Sequence, residues 1–397
     1  MIYAIAVLFG LVFGWLDLPV LNQGAEVVSE IFMNLLKLVS LPIIFLSLVS
    51  TASSMESLEE ISDLGKRTIR YTFLTTLIAS SVALFLFVTL NPVGSTMIEQ
   101  GNWNPDNKSS YFTHLIHLIP SNIVAPFAEN NVMSVLFLAL LFSLALLTLP
   151  TAQRHVLHAF FKALFGVIMK ITSWIVWVMP LAITAFIVLF MDQLKGGLPF
   201  EQLALYLAVV LLANLIQGFI ILPALLKFKG LSPWKLAKAM YPALSVAFFS
   251  KSSAGALPAA MRCAQDRAGI SSRVAGFSLP LCTTINMNGC AAFILSTVLF
   301  VSMSHGMTYS PLELLAWIFL ATLAAVGNAG VPMGCFFLST AFLAAMDIPV
   351  TLMGIILPFY SLIDMVETAL NVWSDSSVTA IVDHEVKAHD APQRQSV

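Results

Sequence analysis

Apolar runs long enough to cross a lipid bilayer recur along the whole chain, and they constrain the fold more than any other feature. A membrane-spanning helix needs about 20 apolar residues, and runs near that length lie at 2–15, 31–50, 69–90, 133–149, 164–190, 203–226, 274–301, 314–346 and 350–363. Only 10% of the 397 residues are charged, whereas soluble proteins usually have about 25%. We therefore predict an all-α polytopic membrane protein embedded in the lipid bilayer, with no nucleic-acid partner.

Two of the apolar segments are interrupted by small and helix-breaking residues. "SKSSAGALP" (250–258) interrupts the stretch 237–265, which has basic clusters at both ends, and "GNAGVP" (327–332) interrupts 314–346, which has no Lys or Arg at either end. Because Lys/Arg-rich short loops tend to stay cytoplasmic, we expect one re-entrant hairpin from each side of the membrane and cytoplasmic N- and C-termini. Two interrupted segments that enter the membrane from opposite sides, each followed by a helix that crosses it, predict a transporter built from inverted repeats. Its binding site would lie near the middle of the membrane.

The last apolar stretch ends in "SLIDMVETALNVWSD" (361–375), which places acids where lipid is the default solvent. Its polar side chains are Asp364, Glu367, Thr368, Asn371 and Asp375. All except Glu367 follow the spacing i, i+4, i+7, i+11, so they share one helical face, and Glu367 lies at its margin. Each acid costs roughly 2.5–3.5 kcal/mol near the bilayer centre, so we expect positive partners: bound cations, protons, a cationic substrate group or Lys251.

Other polar groups occur at the first hairpin tip, in "TTINMNG" (283–289) and at the second tip. Oxygen-rich ligands of these kinds suit hard cations. The four cysteines are Cys263, Cys282, Cys290 and Cys335, and none forms a C-x-x-C pair. We therefore predict neither a disulfide framework nor a cysteine metal site.

These motifs resemble those of the dicarboxylate/amino acid:cation symporter family, the glutamate-transporter homologues. The resemblance covers nearly the whole chain: "SKSSAGALPAAMR" is similar to the family's serine-rich first hairpin, "LPLCTTINMNGCA" to its N-M-D-G-T signature, "GNAGVP" to its second hairpin tip and "IDMVETALNVWSD" to its D-x-x-R-T-x-x-N-x-x-x-D helix. It implies eight transmembrane helices plus two re-entrant hairpins, and an elevator-type transporter that works as a homotrimer.

The resemblance also implies a division of the chain. Scaffold helices would occupy 1–66 and 111–192, and the mobile transport domain would occupy 67–95 and 199–383, followed by a cytoplasmic tail at 384–397. The expected location is the bacterial inner membrane.

Carried over position by position, the resemblance implies a substrate site and three sodium sites. The substrate-binding residues would be Ser252, Ser253, Cys290, Ala329, Gly330, Asp364, Glu367, Thr368 and Asn371. Asp364 would bind the α-amino group, and Asn371 and Thr368 would hold the α-carboxylate. The sodium sites would be formed by Asn286, Asn371 and Asp375; by Thr284 with main-chain groups near Met287, Ala325, Val326 and Asn328; and by Thr75, Thr76, Asn286 and Asn288.

Three departures from the family pattern bear on the substrate. Glu367 stands in place of the arginine that holds acidic side chains, Cys290 in place of a threonine facing the same group, and Asn288 in place of an aspartate of the third sodium site. A substrate carboxylate beside Glu367 would be repelled. We therefore expect symport of an amino acid without an acidic side chain, with a basic one slightly favoured over a neutral one facing a protonated Glu367. No cofactor is expected; about two sodium ions are the predicted coupling ions, with H⁺ as the alternative.

Two other classes of membrane protein remain as alternatives to a transporter. An intramembrane hydrolase would use Ser252 or Ser253 as a nucleophile, but it would need a base and an orienting group that the motif segments do not offer. A passive channel is the third class. We do not expect an enzyme.

Overall fold

The computed structural model describes residues 2–53, 64–93, 119–128, 132–195, 200–328 and 333–393, and within these ranges the chain forms helices and no strands. The helices are α1 (Ile2–Leu16), α2 (Pro19–Ser53), α3 (Leu64–Leu90), α4 (Ala125–Ala128), α5 (Val132–Thr148), α6 (Thr151–Lys195), α7 (Phe200–Ile216), α8 (Leu222–Phe228), α9 (Pro233–Ser250), α10 (Ser253–Arg262), α11 (Ser272–Ile285), α12 (Asn288–Ser304), α13 (Pro311–Gly327), α14 (Gly334–Ala345) and α15 (Thr351–Gln393). Two π-helical turns, Gln217–Ile221 and Cys263–Arg267, follow α7 and α10.

Five helical stretches of the described chain are long and apolar enough to cross a bilayer: Leu64–Leu90, Thr151–Ile175, Phe200–Phe228, Ser272–Ser304 and Thr351–Ala388. Shorter apolar helices accompany them, among them Pro311–Gly327 and Gly334–Ala345. The prediction of an all-helical polytopic membrane protein is confirmed. The number of eight spans stays a prediction. The last helix continues beyond the expected start of a tail at 384, since α15 ends at Gln393.

The helices pack in two groups. In the first group, α2 and α6 pack on each other, α1 packs on α6, and α5 packs on α2. In the second group, α12 and α15 contact each other, and α3 and the hairpin helices surround them. The groups meet where α2 contacts α13 and α14, and where α6 contacts α15. At this boundary Gly354 of α15 lies so close to the Phe186 ring of α6 that an added Cβ would overlap it.

The first interrupted segment forms a helical hairpin. Helix α9 ends at Ser250 and is followed by Lys251, whose left-handed backbone (φ 53°) reverses the chain. Ser252 then caps α10, with its hydroxyl accepting a hydrogen bond from the Gly255 amide at 3.0 Å, which is a favoured arrangement for a helix start. Both limbs pack against α15, so the turn at Lys251 lies beside the acidic face of that helix.

The second interrupted segment contributes α13 and α14, which both pack on α12. Helix α13 starts with a capping box, in which Ser310 and Glu313 bind each other's backbone amides, and α14 starts after Met333, which has a left-handed backbone (φ 60°). Gly334 allows this start, because an added Cβ would overlap the Asn328 amide at the end of α13. The tip between these residues lies outside the described ranges.

The segment "TTINMNG" is not one continuous helix. Helix α11 ends at Ile285, and Asn286 (φ −98°, ψ 73°) and Met287 (φ −108°, ψ 65°) are non-helical before α12 starts at Asn288. Such a break at membrane depth is tolerated where protein groups satisfy the freed backbone. It brings two asparagine side chains to face α3 and α15.

Candidate functional site

The break between α11 and α12 is held against α15 by buried hydrogen bonds. The Nδ2 atom of Asn286 donates to Asp375 Oδ1 at 3.0 Å and to Ser374 Oγ at 2.9 Å. The Nδ2 atom of Asn288 donates to the same Ser374 oxygen at 2.8 Å. On the opposite side, Thr283 donates to Asp375 Oδ2 at 3.5 Å. The break therefore presents both amide groups to one short length of α15.

Helix α3 closes this arrangement from the other side. The Thr75 hydroxyl donates to Asn286 Oδ1 at 3.1 Å, and the Thr76 hydroxyl donates to Asn288 Oδ1 at 2.9 Å. We call the resulting group the amide cluster; its members are Thr75, Thr76, Asn286, Asn288, Ser374 and Asp375, none of them more than 1% exposed. It concentrates hydroxyl, amide and carboxylate oxygens, the ligands of hard cations. The structure thus brings together all four residues predicted for the third sodium site, and two of the first.

A small pocket, with room for about one water-sized molecule, lies next to the amide cluster. We call it the α15 pocket; its lining residues are Lys251, Ser253, Met287, Cys290, Asn328, Cys335, Asp364, Glu367, Thr368 and Asn371. Six of the nine predicted substrate-binding residues line it. Ser252 caps α10 with its side chain instead, and Ala329 and Gly330 lie outside the described residues.

Asp364 and Glu367 place two carboxyl groups in this pocket, and both are almost completely buried. Glu367 Oε2 accepts a hydrogen bond from the Tyr360 hydroxyl at 3.5 Å, while Oε1 has no hydrogen-bond partner among the described residues. Gly289 of α12 permits this packing, since a Cβ there would come within 2.9 Å of the Glu367 Cα. A buried acceptor without a partner costs about 1–3 kcal/mol.

Asn371 joins the α15 pocket to the amide cluster. Its Oδ1 atom accepts from the Gly289 amide at 2.9 Å, and its Nδ2 atom donates to Cys290 Sγ at 3.5 Å. The same side chain was predicted for both a substrate site and a sodium site. Its bond to Gly289, the residue after Asn288, places it beside the amide cluster.

Lys251 brings one positive charge to the pocket. Its ammonium group donates to the hydroxyl of Ser361, one helical turn before Asp364, at 2.5 Å. The residue is half-buried at the left-handed turn of the first hairpin. The charge balance of the pocket must therefore include this lysine as well as the two acids.

The prediction that cysteines would form no disulfide is wrong for one pair. Cys290 of α12 and Cys335 of α14 are joined by a disulfide with their Cα atoms 5.3 Å apart, whereas Cys263 and Cys282 are free and buried. The two partners are 45 residues apart, so no local spacing motif marks them. The folding of α14 back onto α12 brings them together.

The residues predicted for the second sodium site are less closely assembled. The Thr284 hydroxyl donates to the carbonyls of Pro280 and Leu281 in its own helix, at 2.9 and 3.0 Å. Ala325 and Val326 lie in the last turn of α13, and the buried Asn328 caps that helix. Met287 lies at the break itself. These groups belong to three elements, α11, the break and α13.

Sequence reasoning missed Ser374 and Tyr360. Ser374 lies three residues after Asn371, and Tyr360 lies four residues before Asp364, so helical spacing alone placed both near the polar face. They were overlooked because serine and tyrosine are common in membrane helices and carry no charge. Their importance depends on the partners brought by α11, α12 and α15.

Comparison with known proteins agrees with this geometry. The model of the Sodium:dicarboxylate symporter family matches residues 2–385. The chain is 26% identical over 398 residues to the neutral amino acid transporter B(0) of Oryctolagus cuniculus, covering 90% of this chain and 73% of that protein. It is 25% identical to the neutral amino acid transporter A of Bos taurus, covering 90% and 75%, and 27% identical to a putative sodium-dependent excitatory amino acid transporter of Caenorhabditis elegans, covering 96% and 78%.

These relatives are transporters and not enzymes, which agrees with the expectation that no catalysis occurs here. The family match extends over both helix groups, the two interrupted segments and the polar face of α15. The chain belongs to the sodium:dicarboxylate symporter family.

Proposed function

We propose that this protein is a sodium-coupled symporter of a neutral amino acid whose side chain donates a hydrogen bond, such as serine, threonine, asparagine or glutamine. The observation that carries the proposal is that Glu367 lines the α15 pocket and that its buried Oε1 atom has no hydrogen-bond partner among the described residues. A hydroxyl or amide side chain would supply that donor.

A dicarboxylate or acidic amino acid fits this pocket poorly, despite the name of the family. Two unit charges about 4 Å apart interact by about 4 kcal/mol at an effective dielectric constant near 20. Repulsion of that size from an ionised Glu367 would reduce affinity by a factor on the order of 10³. Protonation of Glu367 would remove this repulsion, but one proton would then have to bind with each substrate molecule.

A basic amino acid is the second candidate, and the reversal of charge at Glu367 favours it. Lys251 weakens this argument, because it already contributes one positive charge beside Asp364 and Glu367. With the lysine counted, the pocket sums to −1, which a neutral amino acid and one sodium ion bring to zero. The names of the mammalian relatives also favour a neutral substrate.

The main-chain groups of the substrate would occupy the side of the pocket near α10. Asp364 would bind the α-amino group, and Thr368 and Asn371 would hold the α-carboxylate. Ser253 is buried at the first position of α10, where free amide groups and the helix dipole favour an anion. The side chain would then point towards Glu367 and Cys290.

Sodium would bind at the amide cluster and at the break between α11 and α12. Asp375 supplies the formal charge, and Asn286 and Asn371 supply amide oxygens. Asn288 offers an amide oxygen without charge, so it attracts a cation less than an aspartate would. We therefore propose two coupled sodium ions, with H⁺ coupling through Glu367 as the competing mechanism.

The packing of the helices in two groups supports a two-part transporter. Helices α1, α2, α5 and α6 would be a fixed scaffold in a homotrimer, and the remainder would move with its cargo. The small contact of Gly354 with Phe186 lies at the boundary that such a movement would cross.

The test is uptake into liposomes under an imposed inward sodium gradient or an inward proton gradient, with the twenty amino acids and ornithine as substrates. Uphill accumulation of serine or threonine that needs sodium is the expected result. A channel would give no uphill accumulation. Accumulation of aspartate or glutamate would contradict the charge argument, and preferential uptake of lysine or ornithine would favour the second candidate.

The change Glu367→Gln separates the roles of charge and hydrogen bonding. We expect a loss of side-chain selectivity among neutral amino acids of about tenfold, corresponding to one charge-assisted hydrogen bond of about 1.5 kcal/mol, while sodium dependence remains. Glu201→Gln, at the exposed start of α7, is the control. Unchanged selectivity in E367Q would show that Glu367 does not contact the side chain of the substrate.

A further inference from the structure

The α15 pocket contains a cluster of metal-ligand atoms in which Glu367, the proposed partner of the substrate side chain, lies close to two cysteine sulfurs. The two sulfur atoms of Cys290 and Cys335 and a carboxylate oxygen of Glu367 all lie within 4.8 Å of one another. All three residues are buried, at 3% exposure or less. Because the atoms come from α12, α14 and α15, a single ion bound among them would connect three separate elements of the site.

The sulfur atoms belong to the hydrophobic core but also accept hydrogen bonds from buried amides. Asn328 Nδ2 donates to Cys290 Sγ at 2.9 Å and to Cys335 Sγ at 3.5 Å, and Asn371 Nδ2 donates to Cys290 Sγ at 3.5 Å. Donors of this kind stabilise thiolates, the form of cysteine that binds metals. The Oε1 atom of Glu367 supplies an acceptor with no partner among the described residues. Together these groups present two sulfurs and one oxygen, in a pocket that Lys251 also lines.

We propose that, once its disulfide is reduced, this cluster binds a thiophilic divalent cation of the Zn²⁺ or Cd²⁺ class, and that the bound ion excludes the amino-acid substrate. Such ions prefer thiolates together with a carboxylate, at about 2.3 Å to sulfur and about 2.0–2.2 Å to oxygen for zinc. Ligand atoms within 4.8 Å of one another can reach these distances with small side-chain movements. Sodium, a hard cation, would not compete for this ligand set.

Reduction of the Cys290–Cys335 disulfide needs a reductant, and a dithiol can serve as one. A dithiol such as dithiothreitol gives two electrons and two protons to the Cys290–Cys335 bond and becomes a cyclic disulfide itself. The S–S bond breaks, and two thiols form. The divalent cation then binds both sulfurs and displaces their two protons to water. The oxidised pair has no thiolate to offer, so the site exists only in the reduced protein.

Occupancy of this site would oppose transport in two ways. The ion would fill the side of the pocket where Glu367 meets the substrate side chain, so it would compete with the amino acid. It would also connect the second hairpin, through Cys335, to α12 and α15. This second effect would hinder any transport step in which α14 moves relative to those helices.

The first experiment measures binding by itself and does not rest on the proposed function. Purified full-length protein is reduced with dithiothreitol, desalted, and titrated with Cd²⁺ while the ultraviolet thiolate-to-cadmium charge-transfer absorption is recorded. The expected result is one Cd²⁺ per chain after reduction and none before it. Cys335→Ser and, separately, Cys335→Ala should lose this absorption, and Cys263→Ser and Cys282→Ser, which change the two free cysteines, should keep it.

The outcomes are distinguishable even if one variant folds poorly. Each variant is used only if it elutes as a single peak in gel filtration, which shows that it is folded. The serine and alanine substitutions at Cys335 give two variants, of which one is enough for the test. Equal Cd²⁺ binding by reduced wild type and by a folded Cys335 variant would overturn the proposal. So would loss of the absorption in Cys263→Ser or Cys282→Ser, because the ion would then occupy another site.

The second experiment tests competition and rests on the proposed function. In liposomes, reduced wild type should lose sodium-driven serine uptake as Cd²⁺ is added, and the concentration for half-inhibition should rise in proportion to serine concentration. Cys335→Ser should lower Cd²⁺ sensitivity at least tenfold. Absence of serine uptake without any Cd²⁺ would refute the proposed function alone. Inhibition of wild type and of the Cys335 variant at equal Cd²⁺ would refute the exclusion of substrate by this site.

Discussion

The polar face of α15 has two halves that satisfy their buried groups in opposite ways. In the half that carries Ser374 and Asp375, the side-chain oxygens accept hydrogen bonds from other buried side chains, and Asn286 and Asn288 connect it to the break between α11 and α12. In the half that carries Asp364 and Glu367, a carboxylate oxygen faces a pocket with no described partner. The first half is a preassembled set of oxygens, and the second is incomplete.

This difference separates the two kinds of guest that a symporter carries. A sodium ion needs several oxygens at fixed distances, which a set of linked amides, hydroxyls and one carboxylate provides. A substrate needs partners that become satisfied only when it binds, because preorganised but unsatisfied groups give selectivity between similar molecules. Asn371 lies between the two halves and bonds to Gly289 and Cys290 of α12, so in the proposed function it would link the cation to the substrate.

The largest expected effect follows from removing the charge in the incomplete half. Asp364→Asn should lower sodium-driven amino-acid uptake by at least about 100-fold, since loss of one partner of a buried charge pair costs about 2–5 kcal/mol. Uptake of labelled serine into liposomes measures this, and Asp266→Asn, an exposed acid between α10 and α11, is the matched control. If uptake by D364N stays within a factor of three of wild type, Asp364 does not bind the α-amino group of the substrate.

A smaller effect is expected from removing the charge in the complete half. Asp375→Asn keeps the size of the side chain but removes the only formal charge of the amide cluster. The sodium concentration for half-maximal uptake should rise about 10–100-fold, in the range seen when partners of metal sites are changed. The substrate selectivity at saturating sodium should stay the same. A change of selectivity with unaltered sodium dependence would reverse the assignment of the two halves.

Much of the fold was accessible from the sequence because hydrophobic length and chain-breaking residues act locally. The apolar runs predicted the helices, and "SKSSAGALP" and "GNAGVP" predicted that two of them are interrupted. In the first, however, the turn lies at Lys251, and Gly255 and Pro258 lie inside α10. The break at Asn286 and Met287 was not predicted, because no Pro or Gly stands at those two positions. It is held by Thr75 and Asp375, which lie 211 and 89 residues away along the chain.

The site was predictable to the extent that it lies on one helix. Helical spacing placed Asp364, Thr368, Asn371 and Asp375 on a common face, but the threonines of α3 entered only through the resemblance to a family. The Cys290–Cys335 disulfide was excluded because the cysteines form no local motif, and only the packing of α14 on α12 joins them. Contacts between distant segments decide such features, and the local sequence does not carry them.

The smallest effect tests whether the amide cluster acts as a unit. Ser374→Ala removes the oxygen that accepts from both Asn286 and Asn288, and the loss of such hydrogen bonds costs about 0.5–1.5 kcal/mol. We expect the sodium concentration for half-maximal uptake to rise about two- to tenfold. Ser376→Ala is the matched control, because Ser376 is equally buried on the same helix but donates only to the Val372 carbonyl of its own turn. If the two variants have the same sodium dependence, the cluster contributes to packing alone, and the contrast between the halves of α15 would no longer distinguish cation from substrate.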